Sequence, residues 1–191
     1  MKRPAFRNTA PTSAFTLVEL LVVVSIIGLL VGLLAAGIPR AMDAGMKAKA
    51  KGESTAIVAA VKAYKQEYGR FPGDVTQSNV TFTSNSSPSV QNLIKVLNGD
   101  STTSLDNSQA ANPKGVRFLE GSAGGTNGLP DPWGSQYIVV VDTGESGGVT
   151  YTYAGSAKNL KISVLAISYG SDGKADTASG KKNDVFSTDL Q

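Results

Sequence analysis

Residues 15–38 read FTLVELLVVVSIIGLLVGLLAAGI, and within them residues 20–38 carry no charged side chain. A helix over that uncharged run rises about 28 Å at roughly 1.5 Å per residue, enough to cross the hydrocarbon of a bilayer. Ahead of it stand Lys2, Arg3 and Arg7 with no acid among them, a positive flank that keeps an N-terminus on the cytoplasmic side. A cleaved secretory signal has a shorter apolar core of about 7–15 residues and a small-residue cleavage site after it, whereas Pro39-Arg40 follows here. The nearly continuous apolar character also argues against the core helix of a soluble domain.

The helical pattern continues beyond the apolar run. In residues 41–68, Ala50, Ile57, Val61, Tyr64 and Tyr68 recur at three-, four- or seven-residue steps, while Lys51, Glu53, Lys62, Lys65 and Glu67 fall mostly elsewhere, which is the pattern of an amphipathic helix. One long rod is expected, apolar all round at its start and amphipathic at its end. Pro39 lacks a backbone donor and Gly37 adds freedom beside it, so a kink or loosened turn is expected there. The rod should end at Gly69, with Phe71-Pro72-Gly73 turning the chain away.

Residues 74–128 are rich in Ser, Thr, Asn and Gly, a composition expected to bury little apolar surface and to form mostly loop. The exception is 88–97, where Ser89 is placed to cap a short helix with Val90, Leu93, Ile94 and Leu97 on one side. From Asp131 the signal is β: 137–141, 149–153 and 162–168 are runs of β-branched and aromatic residues, with 144–148 as a turn between the first two. Three antiparallel strands need something to cover one face, and the amphipathic half of the long helix is at hand. The fold class is α+β: a long N-terminal helix, transmembrane then amphipathic, packed on a small antiparallel C-terminal sheet of about three strands. The segments divide as 1–14, 15–40, 41–73, 74–130 and 131–191.

Two absences narrow the chemistry. The 191 residues include no Cys and no His, which excludes disulfides, thiolate metal sites and every imidazole-dependent triad. Gly144-Glu145-Ser146-Gly147-Gly148 satisfies the hydrolase-elbow pattern, but it falls in a turn and has no His to activate Ser146. Ser179-Gly180-Lys181-Lys182 matches a Ser-x-x-Lys spacing that chance supplies easily, and Trp133 reads as a packing anchor. The chain is not an enzyme on this reading. Its formal charge of +3 resides wholly in Lys2, Arg3 and Arg7, and removing them leaves 15 basic and 15 acidic side chains, so no nucleic-acid partner is indicated.

Glu19 interrupts the head of the apolar run. An acid in hydrocarbon costs roughly 2.5–3.5 kcal/mol at a helix centre and less near the edge, so it is a functional candidate by default; the alternative is solvation among lipid headgroups. The stretch Ala14-Phe15-Thr16-Leu17-Val18-Glu19-Leu20-Leu21 resembles the N-terminal motif of class III prepilins, the precursors of type IV pilins and of type II secretion pseudopilins. The resemblance implies that a prepilin peptidase cuts between Ala14 and Phe15 and methylates the new amine of Phe15. It also implies that Glu19 neutralises the N-terminal amine of a neighbouring subunit as the helices pack into a filament. The family usually has Gly before the cut, where this chain has Ala14, also small. A buried carboxylate is tolerable beside a cation in the same low-dielectric place, and Gly28 and Gly32 form a GxxxG spacing that lets helices approach closely in lipid. This resemblance runs from Ala14 to about Tyr68.

A second set of residues is similar to the major, G-type pseudopilin: residues 64–72 (YKQEYGRFP), Asp131-Pro132-Trp133-Gly134 leading into Tyr137, residues 168–173 (SYGSDG) and Asn183-Asp184-Val185. Residues 74–128 have no close counterpart there. That family ties its C-terminal loop with calcium instead of a disulfide. By composition the loop offers Asp172, Asp176 and Asp184, with Gly170, Gly173 and Gly180 letting carbonyls turn inward; a merely solvated Asp-Gly turn, favoured by Lys174, Lys181 and Lys182, is the alternative. The resemblance places the ligands at Asp172, Asp184 and the carbonyl of Tyr169, with Asp176 in reserve. The EF-hand template does not fit, since Asp172-Gly173-Lys174-Ala175-Asp176-Thr177 lacks glycine at its sixth place.

The function so implied is a pilin-like structural subunit, spanning the bacterial inner membrane once with its C-terminal domain periplasmic. Its partners would be copies of itself, minor pseudopilins, the prepilin peptidase and an inner-membrane assembly platform. Filament growth would drive protein export across the outer membrane. A type IV pilin for adhesion, motility or DNA uptake is the alternative, and a membrane-anchored periplasmic domain that never polymerises is a third reading.

Overall fold

The computed structural model describes residues 15–73, 76–106, 111–120, 128–153, 156–175 and 183–188. The leader 1–14, with Ala14, lies outside them, as do Asp176 and the Ser179–Lys182 tetrapeptide. The chain divides into two units, Met1–Asp43 and Ala44–Gln191. Helix α1 (Leu17–Tyr68) contributes to both.

Among the described residues of the first unit the large apolar side chains are exposed, with Leu17 78% and Leu33 67% accessible. Each such side chain would gain about 1.5–3 kcal/mol on leaving water, so this surface belongs in a bilayer or against other helices. Within the helix, Ser25 Oγ donates to the Leu21 carbonyl at 2.8 Å. A Cβ added at Gly28 or Gly32 would meet nothing within 4 Å, so neither glycine is needed for packing within the chain. Pro39 lies inside α1, and the helix carries on past it to Tyr68.

The second unit is built on the end of α1. Ala50, Ile57, Ala60, Val61 and Tyr64 are buried, at the three-, four- and seven-residue steps that put them on one stripe. The helix ends at Tyr68, where the Gly69 N–H donates to the Lys65 carbonyl at 2.8 Å and Gly69 adopts φ +72°. After it come β1 (Val80–Phe82), α2 (Val90–Leu97), β2 (Ile138–Val141), β3 (Val149–Tyr153), β4 (Ser156–Leu160), β5 (Val164–Ser168), a 3-10 turn (Gly170–Asp172) and β6 (Val185–Phe186).

The sheet differs from the expectation of three strands. It has four, in the antiparallel order β1-β2-β5-β6, while β3 and β4 pair with each other in a separate two-stranded ribbon. The reason is burial. β2 (IVVV) and β5 (VLAIS) are buried along their whole length, and strands covered on both faces pair with each other at the centre of a sheet. Tyr137, Val139 and Val141 join the cluster around α1 and α2, whereas the alternate residues Ile138 and Val140 pack with Val149, Leu165 and Ile167, as the two-residue period of a strand requires. The loop after β2 is held as a wide turn: the Asp142 carboxylate accepts from Ser146 N and Oγ at 2.8 and 2.9 Å and from Gly147 N and Gly148 N at 3.0 and 2.9 Å.

The described part of the 74–128 segment is mostly loop with the expected short helix, but it buries more apolar surface than its composition suggested. It supplies β1, α2 and the buried side chains of Val80, Phe82, Leu93, Val96, Leu97, Leu105, Ala111 and Leu119. Most of its described apolar residues reach the core, and several of its polar ones close turns. Thr83 Oγ1 accepts from Asn85 N and Ser86 N. Asp100 accepts from the backbone and hydroxyls of Thr102 and Thr103. The fully buried Asn112 donates to the Val96 and Val116 carbonyls, both at 2.8 Å, and accepts from Val116 N and the Tyr68 hydroxyl. Ser89 caps α2 as its position suggested, accepting from Asn92 N at 3.4 Å. Trp133 is half-buried and joins neither apolar cluster of the described residues; Tyr137 is the buried anchor, donating to Glu53 at 2.6 Å.

Candidate functional site

Two places collect the residues singled out from the sequence. At the start of α1, Thr16 and Glu19 form a capping box. The Thr16 backbone N–H and hydroxyl donate to Glu19 Oε2 at 2.9 and 2.8 Å, and the Glu19 N–H donates back to Thr16 Oγ1 at 3.2 Å. The carboxylate therefore satisfies donors that a helix start leaves open and sits at the positive end of the helix dipole. Phe15, just before the helix, is 76% exposed. The part played by Thr16 was readable in the Thr-x-x-Glu spacing of a capping box.

The second place is the C-terminal loop. Tyr169 leads into the 3-10 turn, where Gly170 has φ +64° and a Cβ would run into the Asn183 carbonyl oxygen. Only glycine lets these two backbones lie in contact. Asn183 Nδ2 donates to Ser171 Oγ at 3.1 Å. Asp172 accepts from Lys174 N at 3.1 Å; that bond, with one from the Asn183 side chain, holds its carboxyl below the ordinary range. Burial pushes the Tyr169 phenol up and the Asp184 charge adds to this, while a hydrogen bond with Tyr151 opposes both. Tyr169, Asp172 and Asp184 thus belong to one locus, where residues 169–172 meet 183–184.

The entrance to that loop is held by Asp131, which is 4% exposed. Its Oδ1 accepts from Trp133 N at 3.1 Å and Ser135 N at 2.8 Å, and its Oδ2 accepts from the Ser168 hydroxyl. Ser168 Oγ in turn accepts from Gly170 N at 3.1 Å. The Asp-Pro-Trp-Gly turn is thereby tied to the last strand of the sheet centre and to the turn beyond it. Sequence reading marked Asp131 only as part of a motif, because its partner lies far along the chain.

Chemically, the C-terminal locus offers two carboxylates, the Ser171 hydroxyl and backbone carbonyls, oxygen ligands of the kind a hard cation such as calcium takes. Among the described residues no three acidic, His or Cys side chains group together, so carbonyls and water would complete any such shell. Ser146 donates its hydroxyl to Asp142, which is a turn-closing role. The Asp142 carboxyl is pushed up by burial, but the hydrogen bonds from Ser146, Gly148 and Gly147 outweigh this and hold it low.

Residues 11–35 match the family model of the prokaryotic N-terminal methylation motif. This is the motif of type IV prepilin-like chains, which a prepilin peptidase processes and which assemble as filament subunits. The apolar part of α1 is compatible with a single-pass membrane anchor. No curated protein and no solved structure matches the chain.

Proposed function

We propose that the chain is the major subunit of a type II secretion pseudopilus. On this reading the leader is cut between Ala14 and Phe15, Phe15 is N-methylated, and the subunit waits in the inner membrane with its C-terminal unit in the periplasm. Polymerisation then drives export across the outer membrane. The observation that carries the filament reading is the methylation motif over residues 11–35. The residues around Asp131, Tyr169 and Asn183 and the absence of cysteine support the secretion branch over the pilus branch.

The mechanism is assembly. The exposed apolar surface of α1 is stabilised when neighbouring copies cover it. The Glu19 carboxylate, bonded within its own chain by Thr16, gains a cationic partner when the freed Phe15 amine of a neighbour enters the same dry environment. That pairing sets the register between subunits. In the C-terminal loop, the Tyr169 carbonyl, Asp172 and Asp184 would hold calcium, with Asp176 in reserve. The ion would supply the positive charge that ties the 3-10 turn to the 183–184 segment.

Mass spectrometry of the processed chain should find a mature N-terminus at methylated Phe15; an intact, unmethylated leader would remove the filament reading. Glu19→Ala should enter the membrane normally and fail to form filaments, and normal filaments from that variant would refute the pairing. Deleting the chain from its host should stop export of secreted proteins. Unchanged export with loss of surface pili would assign it to the pilus branch instead.

A further inference from the structure

Three turns in the C-terminal unit line a groove of about 390 Å³ that the filament role does not use. One wall is the segment after β1, where Ser86 and Thr83 bond each other's backbone and Thr83 Oγ1 also receives Asn85 N, presenting Ser84 and Asn85 outward. A second wall is the Asp131 turn, which presents Ser135. The third is the turn ending at Gly173, with φ +63°, where a Cβ would stand 3.1 Å from Ser135 Oγ. The first wall is fixed by its own hydrogen bonds and the other two are joined through Asp131, Ser168 and Gly170, so the groove needs little ordering on binding a ligand.

None of the eight lining residues is charged. The Ser84 hydroxyl, the Asn85 carboxamide and the Ser135 hydroxyl have no hydrogen-bond partner among the described residues, so their donors and acceptors remain available. Ile138 and Tyr169, both packed on the outer apolar cluster, give the groove apolar surface beside these polar groups. An ionic ligand would lose hydration here without meeting an opposite charge. A purely apolar ligand would leave the three polar side chains dry and unpaired. A ring with hydroxyls on its edge and C–H groups on its face satisfies both surfaces.

We infer that this groove binds an uncharged saccharide unit, held by Ser84, Asn85 and Ser135 and packed on Ile138 and Tyr169. Such a unit could come from an amino-sugar glycan or from a neutral hexose polymer, which share this chemistry. The test uses the full chain in lipid nanodiscs, free of sugar-based detergent. Saturation-transfer NMR is recorded with N-acetylglucosamine trimer and, separately, with maltotriose, each at about 10 mM so that weak binding registers. Transfer is expected to at least one trimer, and the responding one identifies the source. Asn85→Ala should weaken that binding by roughly fivefold, the worth of one neutral hydrogen bond, with the melting temperature unchanged because Asn85 is exposed. Lys114→Ala, away from the groove, should bind like the natural chain. No transfer to either trimer overturns the proposal, and so does transfer unaltered in both Asn85→Ala and Ser84→Ala.

Discussion

Replacing Asp131 by alanine tests whether one buried carboxylate connects the Asp-Pro-Trp-Gly turn to the C-terminal loop. The change strands the N–H groups of Trp133 and Ser135 and frees the Ser168 hydroxyl, on which Gly170 N depends. Hydrogen bonds to a charged group contribute about 1.5–3 kcal/mol each. Water can reach the half-buried turn, and the cost of burying the carboxylate disappears with it. A net loss of about 2–3 kcal/mol remains. For a unit of roughly 150 residues each kcal/mol moves the melting temperature by about 2–4 °C, so Asp131→Ala should melt about 4–12 °C lower. Asp131→Asn keeps an acceptor for the two N–H groups and should lose about 1 kcal/mol. The assay is intrinsic fluorescence, since Trp133 is the single tryptophan and lies in the turn itself. A double-mutant cycle with Ser168→Ala should show a coupling of about 1–2 kcal/mol. A melting temperature within about 1 °C of the natural chain, or losses that simply add, would refute the connection.

The calcium proposal predicts that a chelator lowers the melting temperature of the natural chain but not of Asp172→Ala or Asp184→Ala; equal melting in all these conditions removes the site. Asn112→Asp places an acceptor against the Val96 and Val116 carbonyls that Asn112 now bonds, and should lose about 3 kcal/mol at neutral pH, read as a lower urea midpoint. A midpoint equal to that of the natural chain would contradict the network. Acid should also destabilise the fold. The side-chain and backbone bonds of Thr102, with those of Thr103, lower the Asp100 carboxyl from its ordinary 3.8 to about 2, and Asp142 is lowered too. Both are depressed in the folded state, so their contribution is complete above the unfolded value near 4 and is lost as pH falls toward 2. Screening leaves the Asp100 share at about 1 kcal/mol or less, and Asp100→Asn should flatten the melting curve against pH over that window.

What could be read in advance depended on how local the determinant was. The extent of α1, the Ser89 cap and the apolar strand segments follow from spacing within a few residues. The strand order does not, because the choice of β5 over β3 as the partner of β2 rests on which strands are covered on both faces. β4 (SAKNL) is almost wholly exposed and carries no apolar alternation, so nothing in its composition marks it; β3 across from it supplies its register. Asp142, Asn112 and Asp131 escaped because each acts through backbone donors or distant side chains. At the candidate sites, Glu19, Asp172 and Asp184 were visible as acids in unusual surroundings and Thr16 in its spacing to Glu19, whereas Ser168 became visible only through its partner.

The division of labour in residues 76–120 has a consequence for how such chains diverge. A handful of positions there, among them Val80, Phe82, Leu93, Leu97 and Leu119, fill the interior, and a few polar ones, such as Asn112 and Thr83, close the turns. Others among the described residues, such as Thr81, Asn85 and Ser87, are exposed. Their identities can be exchanged wholesale while the interior keeps its shape, giving the subunit a rewritable exterior on a fixed frame. Kinship through this segment will therefore be traced by the placement of a few interior and turn-closing residues, long after overall identity has faded.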